Sequence, residues 1–258
     1  PLEYARLGET PAPWEDWHCV AVLRHTSLLL NSVYQKVWRA IALPVVGAEG
    51  IAQLRMDDGD QGLVCQPPGS LTERLMPDLE ALAPAITALL HDGAADSTGG
   101  GSNNGAVAPA RTASGRPLLA GDPHRQFELP GMYVQNHLAG AGFDAIGLAV
   151  PGVPGFPHFA HNGQVAWCVT HAFADIHDLY VEQFDAAGRH RTPQGWQEST
   201  RRSETLQVRG AAPATVEIVE TRHGPVVAGD PAAGSALVLR SVQFARTDRS
   251  FDCLPRML

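Results

Sequence analysis

A chain of 258 residues, 44% of them hydrophobic, is long enough to bury the core of one large globular domain or two ordinary ones. Its formal net charge of −8 argues against a nucleic-acid partner and against an anionic membrane surface, because phosphate binding needs a basic face. No apolar run approaches the ~18 residues that a membrane-spanning helix requires.

Of the 19 basic residues only Lys36 is a lysine. Cys19, Cys65, Cys168 and Cys253 lie far apart with no C-x-x-C pair, which removes a zinc ribbon or a thioredoxin-type motif. Four cysteines permit disulfides without implying them. The chain opens at Pro1 rather than Met and has no signal peptide, as a piece of a longer protein would.

In chain order, residues 1 to about 13 are rich in proline and are expected to be extended. From Trp14 to about Ala42, Val20, Leu23, Ser27, Leu30 and Val37 recur at helical spacing, and Pro44 is expected to close that helix. Ser70-x-x-Glu73 is a capping-box pattern for a second helix running to about His91, with Leu75, Leu79, Leu82, Ile86 and Leu90 on one face. Both stripes read as core. Residues 92–101 form a polar, low-complexity link, after which the hydrophobic period changes.

Short strands are then expected at 104–109, 117–120, 132–138, 145–150, 164–170, 178–184, 204–209, 215–221 and 236–243. Helices followed by many strands imply an α+β body. The expected organisation is a helical segment over 1–91, a spacer over 92–101 and a strand-rich part over 102–258.

The boundary between the last two holds the most suggestive chemistry. Gly99, Gly100 and Gly101 precede Ser102, and without Cβ atoms they let the backbone fold the Gly101 carbonyl onto the Ser102 hydroxyl. Attack there moves the acyl group from nitrogen to oxygen; hydrolysis then cuts the chain and leaves Ser102 as a new N-terminus. Its α-amine, with an ordinary pKa of about 7.7–8.0, could serve as the base for its own hydroxyl. Read by composition alone, the same stretch is a solvated linker.

Four separated stretches decide between those readings. Ser102-Asn103-Asn104, Arg111 to His124, His161 to Trp167, and Thr221 to Val227 resemble the penicillin acylase family of N-terminal nucleophile hydrolases in content, order and spacing. The resemblance is strong from Ser102 to about Arg240 and weak over the first 90 residues. It implies a four-layer αββα sandwich, incomplete in this chain, with Ser102 at the start of a central strand and two subunits cut from one precursor at Gly101/Ser102. Relatives of this kind are mostly periplasmic or secreted.

The same resemblance assigns roles. His124 matches a histidine beside the nucleophile and is expected to orient the α-amine or the attacking water. His171 matches the position whose backbone N–H helps form the oxyanion hole. Asp175-Ile176-His177-Asp178 matches a calcium loop in which Asp175, the His177 carbonyl and Asp178 are ligands. The family adds an acidic residue from an upstream helix, but residues 17–48 contain no Asp or Glu and Gln35 is the nearest candidate.

Two further departures are Gly105, where many relatives carry a large residue, and the imidazole of His171 itself. Leu28, Leu29, Phe127, Phe156 and Phe173 are candidates for acyl-chain contact, though each reads first as ordinary core. His161 and Asn162 read as turn residues.

The implied function is a self-processing amidohydrolase that frees an acyl group from an amine, such as a β-lactam nucleus or a homoserine lactone, with no organic cofactor. Relatives continue well past Leu258 and supply a second oxyanion donor from that part, so little activity is expected of these residues alone. The competing readings are a non-catalytic remnant of the fold and a metal hydrolase built from some of His124, His158, His161, His171 and His177. No H-E-x-x-H supports the latter.

Overall fold

The computed structural model describes residues 2–29, 33–53, 75–93, 101–124, 129, 131–156, 158–170, 176–244, 249 and 252. They fall into two compact units, each drawn from separated parts of the chain: residues 1–30, 99–171 and 248–258 in one, 31–98 and 172–247 in the other. The segment before Gly101 therefore contributes helices to both.

The first unit opens with α1 (Leu2–Leu7) and α2 (Asp16–Leu29). The expected extended start is corrected by α1, a short helix stopped at Gly8, whose φ is 67°. The Gly8 amide donates to the Ala5 carbonyl and the Glu9 amide to the Tyr4 carbonyl, the paired bonds of a Schellman C-cap. Pro11 and Pro13 come after the stop.

Six strands complete this unit. β1 (Gly101–Val107) and β2 (Leu118–His124) form an antiparallel pair; β3 (Val134–Gly140), β4 (Phe143–Ala149), β5 (Phe159–His161) and β6 (Ala166–Cys168) form a four-stranded antiparallel sheet in sequence order. Ala145, Ala149 and Phe156 make its small core, with Ala160 and Trp167 packed against them. The Trp167 indole N–H donates to the Phe156 carbonyl at 2.7 Å, so the polar end of this half-buried ring is satisfied. Phe156 is thus core, not acyl-chain lining.

The second unit places two helices on a sheet. α3 (Val33–Gln53) runs through Pro44, where the sequence predicts a stop, and leaves helical geometry only at Gly47. A proline inside a helix costs about 3 kcal/mol, but Leu43 and Ile51 on either side of it are buried with Val37. α4 (Met76–Gly93) adds Leu79, Leu82 and Ile86 to the same core. The capping-box residues Ser70 and Glu73 lie outside the described residues.

The sheet beneath those helices has the order β10-β11-β12-β13-β7. Its strands are β7 (His177–Gln183), β10 (Thr200–Leu206), β11 (Ala214–Thr221), β12 (Gly224–Asp230) and β13 (Ser235–Ser241); β8 (His190–Thr192) and β9 (Gly195–Gln197) pair separately. Ala228 and Leu237 join the helix-facing core, with Leu179, Val181 and Val227 against it. Helix layer on antiparallel sheet is the α+β arrangement that the sequence predicts.

Candidate active site

The β1/β2 pair fixes where the proposed catalytic groups stand. Its register sets Gly101 opposite His124, Ser102 opposite Pro123, Asn103 opposite Asp122 and Asn104 opposite Gly121. Directly opposed residues of an antiparallel pair share a face, and successive residues alternate. Asn103, Asp122 and His124 are therefore on one face, and Ser102, Asn104, Gly121 and Pro123 on the other.

The side chains follow that division. His124 Nε2 lies 3.1 Å from Asp122 Oδ2 and 3.2 Å from Asn103 Nδ2. One ring nitrogen cannot donate to the carboxylate and accept from the amide together. The charged partner is the stronger, which puts the proton on Nε2, leaves Nδ1 as the accepting nitrogen and turns the Asn103 amide to present its oxygen. Gly105 belongs to the same face, and a Cβ there would meet nothing within 4 Å.

On the opposite face the hairpin rests against β5 and β6. The Asn104 amide donates to the Cys168 carbonyl at 3.4 Å, and the Cys168 thiol reaches the Ala120 carbonyl at 3.5 Å. Gly121 makes this approach feasible, since a Cβ would lie 2.9 Å from that of Cys168 and 3.1 Å from the Phe159 ring. Ser102, half-buried, lies on this same face, two residues before Asn104.

His171 itself lies outside the described residues, as do Asp175, Phe127, Phe173, Cys65 and Cys253; the side chain of Leu29 does too. Among the described residues no hydrogen bond uses the Ser102 hydroxyl. His124 therefore cannot be that hydroxyl's base in the uncut chain: it sits across from Gly101, on the far face.

In the second unit His177 is 1% exposed and Asp178 lies within 3.7 Å of the Lys36 ammonium. Among the described residues no three of His, Cys, Asp and Glu converge on a point where a metal could sit. Two histidines invoked for a metal hydrolase are engaged elsewhere, His124 as above and His158 with the Tyr133 hydroxyl at 3.2 Å. The Asn162 carboxamide oxygen accepts from the Gln164 and Val165 amides, making the expected turn while Gly163 takes the positive φ.

The profile of the family described as penicillin amidase matches residues 1–258, the whole chain. The chain belongs to the penicillin amidase family. It is 62% identical to the penicillin acylase 2 proenzyme of Pseudomonas sp. (strain SE83) over its full length, covering 34% of that relative. It is 30% identical to the acyl-homoserine lactone acylase QuiP of Pseudomonas aeruginosa, over 88% of this chain and 27% of that one. Among solved structures, a thermostable penicillin G acylase from Alcaligenes faecalis superposes with a TM-score of 0.50 and 28% identity, covering 55% of this chain and 26% of the other. The chain thus spans about a third or less of the length of these curated relatives.

One stretch that carries the penicillin amidase resemblance, Thr221 to Val227, holds a cluster that sequence reasoning left without a role. His223 Nδ1 lies 2.5 Å from Glu182 Oε1, the Thr221 hydroxyl donates to the same oxygen at 3.4 Å, and the imidazole stacks on Tyr180 at 3.9 Å. Glu182 and Tyr180 come from β7, and nothing in their sequence surroundings points to a histidine so far along the chain.

Burial holds the His223 pKa below its ordinary 6.5; Glu182 opposes that shift, and Arg222 and Arg240 add to it. The unfolded chain therefore takes up the proton first as pH falls. This site's contribution to stability is complete above about pH 6.5 and is lost progressively below it. The melting temperature should decline on acidification from pH 7, and His223→Gln should flatten that part of the profile. An unchanged slope in the variant would exclude His223 as its source.

Proposed function

We propose that this chain carries the nucleophile of a self-processing acylase, in which Ser102 is freed as an N-terminus by cleavage after Gly101 and then cleaves amides through an acyl-enzyme. The observation that carries this reading is the strand register. Gly101 is the last residue before the serine and is paired with His124, so removing it opens the position facing that imidazole. The new α-amine would then stand next to the Asp122–His124–Asn103 face, while the Ser102 hydroxyl keeps to the opposite face.

The chemistry follows from that placement. The Ser102 oxygen attacks the acyl carbonyl carbon, its proton passes to the Ser102 α-amine, and backbone N–H groups including that of His171 hold the oxyanion. Collapse expels the amine, which takes the proton; water then releases the acid by the same route. Asp122 holds His124 in one tautomer, and His124 orients the α-amine or the water.

The proenzyme and acylase names of the relatives support both the cleavage and the amide chemistry. On their account the substrate class is an acylated β-lactam nucleus or an acyl-homoserine lactone.

The test is to express the full-length precursor and read the mature subunits by intact mass and N-terminal sequencing. A subunit beginning Ser102-Asn103-Asn104 is expected; an uncut chain that hydrolyses amides overturns the proposal. His124→Asn should keep the fold, since the side chain is exposed and its partners are local, yet lower kcat by about 10²-fold with little change in KM. Wild-type turnover in that variant removes His124 from the mechanism.

A further inference from the structure

The resemblance implies calcium at the Asp175–Asp178 loop, and the described side of that loop does not fit it. Lys36 is 9% exposed on the buried side of α3, and its ammonium lies 3.7 Å from Asp178 Oδ1. One turn on, Arg39 is 8% exposed on the same side of the helix. Across the sheet, Arg240 of β13 stands directly opposite Asp178 in the register, so its side chain shares the Asp178 face. A divalent ion ligated by Asp178 would meet one ammonium at contact distance and a guanidinium beside it, a field that repels cations.

We propose that the Lys36 ammonium takes the place of the metal, so that this protein ties α3 to β7 with a cation of its own and binds no calcium through Asp178. The position makes this effective. β7 is the last described strand of its sheet, and the pleat that packs Leu179 and Val181 against the helix-facing core turns Asp178 the other way. The lysine stem runs within the buried layer and its head reaches the strand edge, which joins helix and sheet across the layer boundary.

The residue type matters as well as the charge. An ammonium is a compact point charge and approximates a small cation, whereas a planar guanidinium has a different reach and geometry. Lys36 is the one lysine among the chain's 19 Lys and Arg residues. This inference is independent of the role of Ser102.

Equilibrium dialysis of the full-length protein against radioactive calcium decides it. Wild type and Asp178→Asn are expected to bind the same number of ions per molecule, whatever that number is. One ion fewer in Asp178→Asn overturns the proposal. Thermal melting of Lys36→Met, Asp178→Asn and the double variant provides a second readout. Each single variant should melt a few degrees low, in chelator and in calcium alike, and the double variant no lower than the worse single one. Additive losses would mean that the two residues are not coupled and would equally overturn it. If Lys36→Met does not fold, the dialysis comparison stands alone.

Discussion

Replacing Ser102 with alanine in the full-length precursor should leave the Gly101–Ser102 bond uncut and lower acyl release by at least about 10⁴-fold, as loss of a sole nucleophile does. Alanine can occupy the same place in β1, because the register opposite Pro123 depends on backbone bonds and the neighbouring Asn104 still reaches the Cys168 carbonyl. Since no described hydrogen bond uses the serine hydroxyl, the variant should melt with wild type. The loss would then be chemical.

Cysteine separates two parts of the proposal. A thiol can attack the Gly101 carbonyl, so Ser102→Cys should process part of the chain, whereas its amidase turnover depends on how the longer, softer atom meets the oxyanion donors. Intact mass reads the first and acyl release the second. A fragment starting at residue 102 from the alanine variant would show that another group, or a protease, makes the cut.

Much of this was legible in the sequence, and what was not has identifiable causes. The stripe from Leu79 to Ile86 was recoverable because one face is repeatedly apolar. The single helix expected from Trp14 to about Ala42 is instead two, α2 and α3, which belong to different units, and of its described stripe residues only Val37 reaches a buried core. Helix ends were not legible either: Pro44 predicts a stop that the burial of Leu43 and Ile51 overrides. β5, β8 and β9 have three residues each, too few to show an alternation. β12 escaped because Gly224, Pro225 and Gly229 read as turn residues, and a register shift between Val226 and Ala228 breaks its period.

β1 starts at Gly101, three residues before the expected strand, because pairing with β2 supplies what glycine and asparagine lack in strand propensity. Pro123 is tolerated inside β2 because a two-stranded pair has only edges.

The candidate site divides in the same way. Ser102 and His124 could be picked out from motifs, since both lie in stretches that match the family in order. Their separation onto opposite faces of the hairpin could not, because it follows from a register that brings residue 101 against residue 124. Asp122 as the partner of His124 needs no register, since residues two apart in β2 share a face. Lys36 against Asp178 and Glu182 against His223 are contacts between distant segments, and no local pattern in a single sequence carries them.

The largest stability loss is expected at Gly224, which opens β12 immediately after Arg222 and His223. Thr221 pairs with Gly224 across the β11/β12 hairpin, and Gly224 has a φ of 140°, a conformation that side chains strongly disfavour. An added Cβ would stand 2.2 Å from the carbonyl oxygen of Leu239 in β13, a backbone atom that cannot rotate aside.

Gly224→Ala must therefore both strain its own backbone, at about 1–3 kcal/mol, and push β12 away from β13, at about 1–3 kcal/mol more. β13 is the least forgiving place for this, since Ala236, Leu237, Val238 and Leu239 are all buried. The shift also draws His223 away from Glu182, which leaves a buried carboxylate without its closest donor. A total of about 2–6 kcal/mol corresponds to a fall in melting temperature of roughly 4–24 °C at the ~2–4 °C per kcal/mol of a domain this size. Gly105→Ala is the control, since nothing lies within 4 Å of its added methyl group and its effect should stay within about 0.5 kcal/mol. Thermal unfolding of the two variants beside wild type measures both, and a Gly224→Ala protein that melts with the control would show that β12 and β13 are not held at this separation.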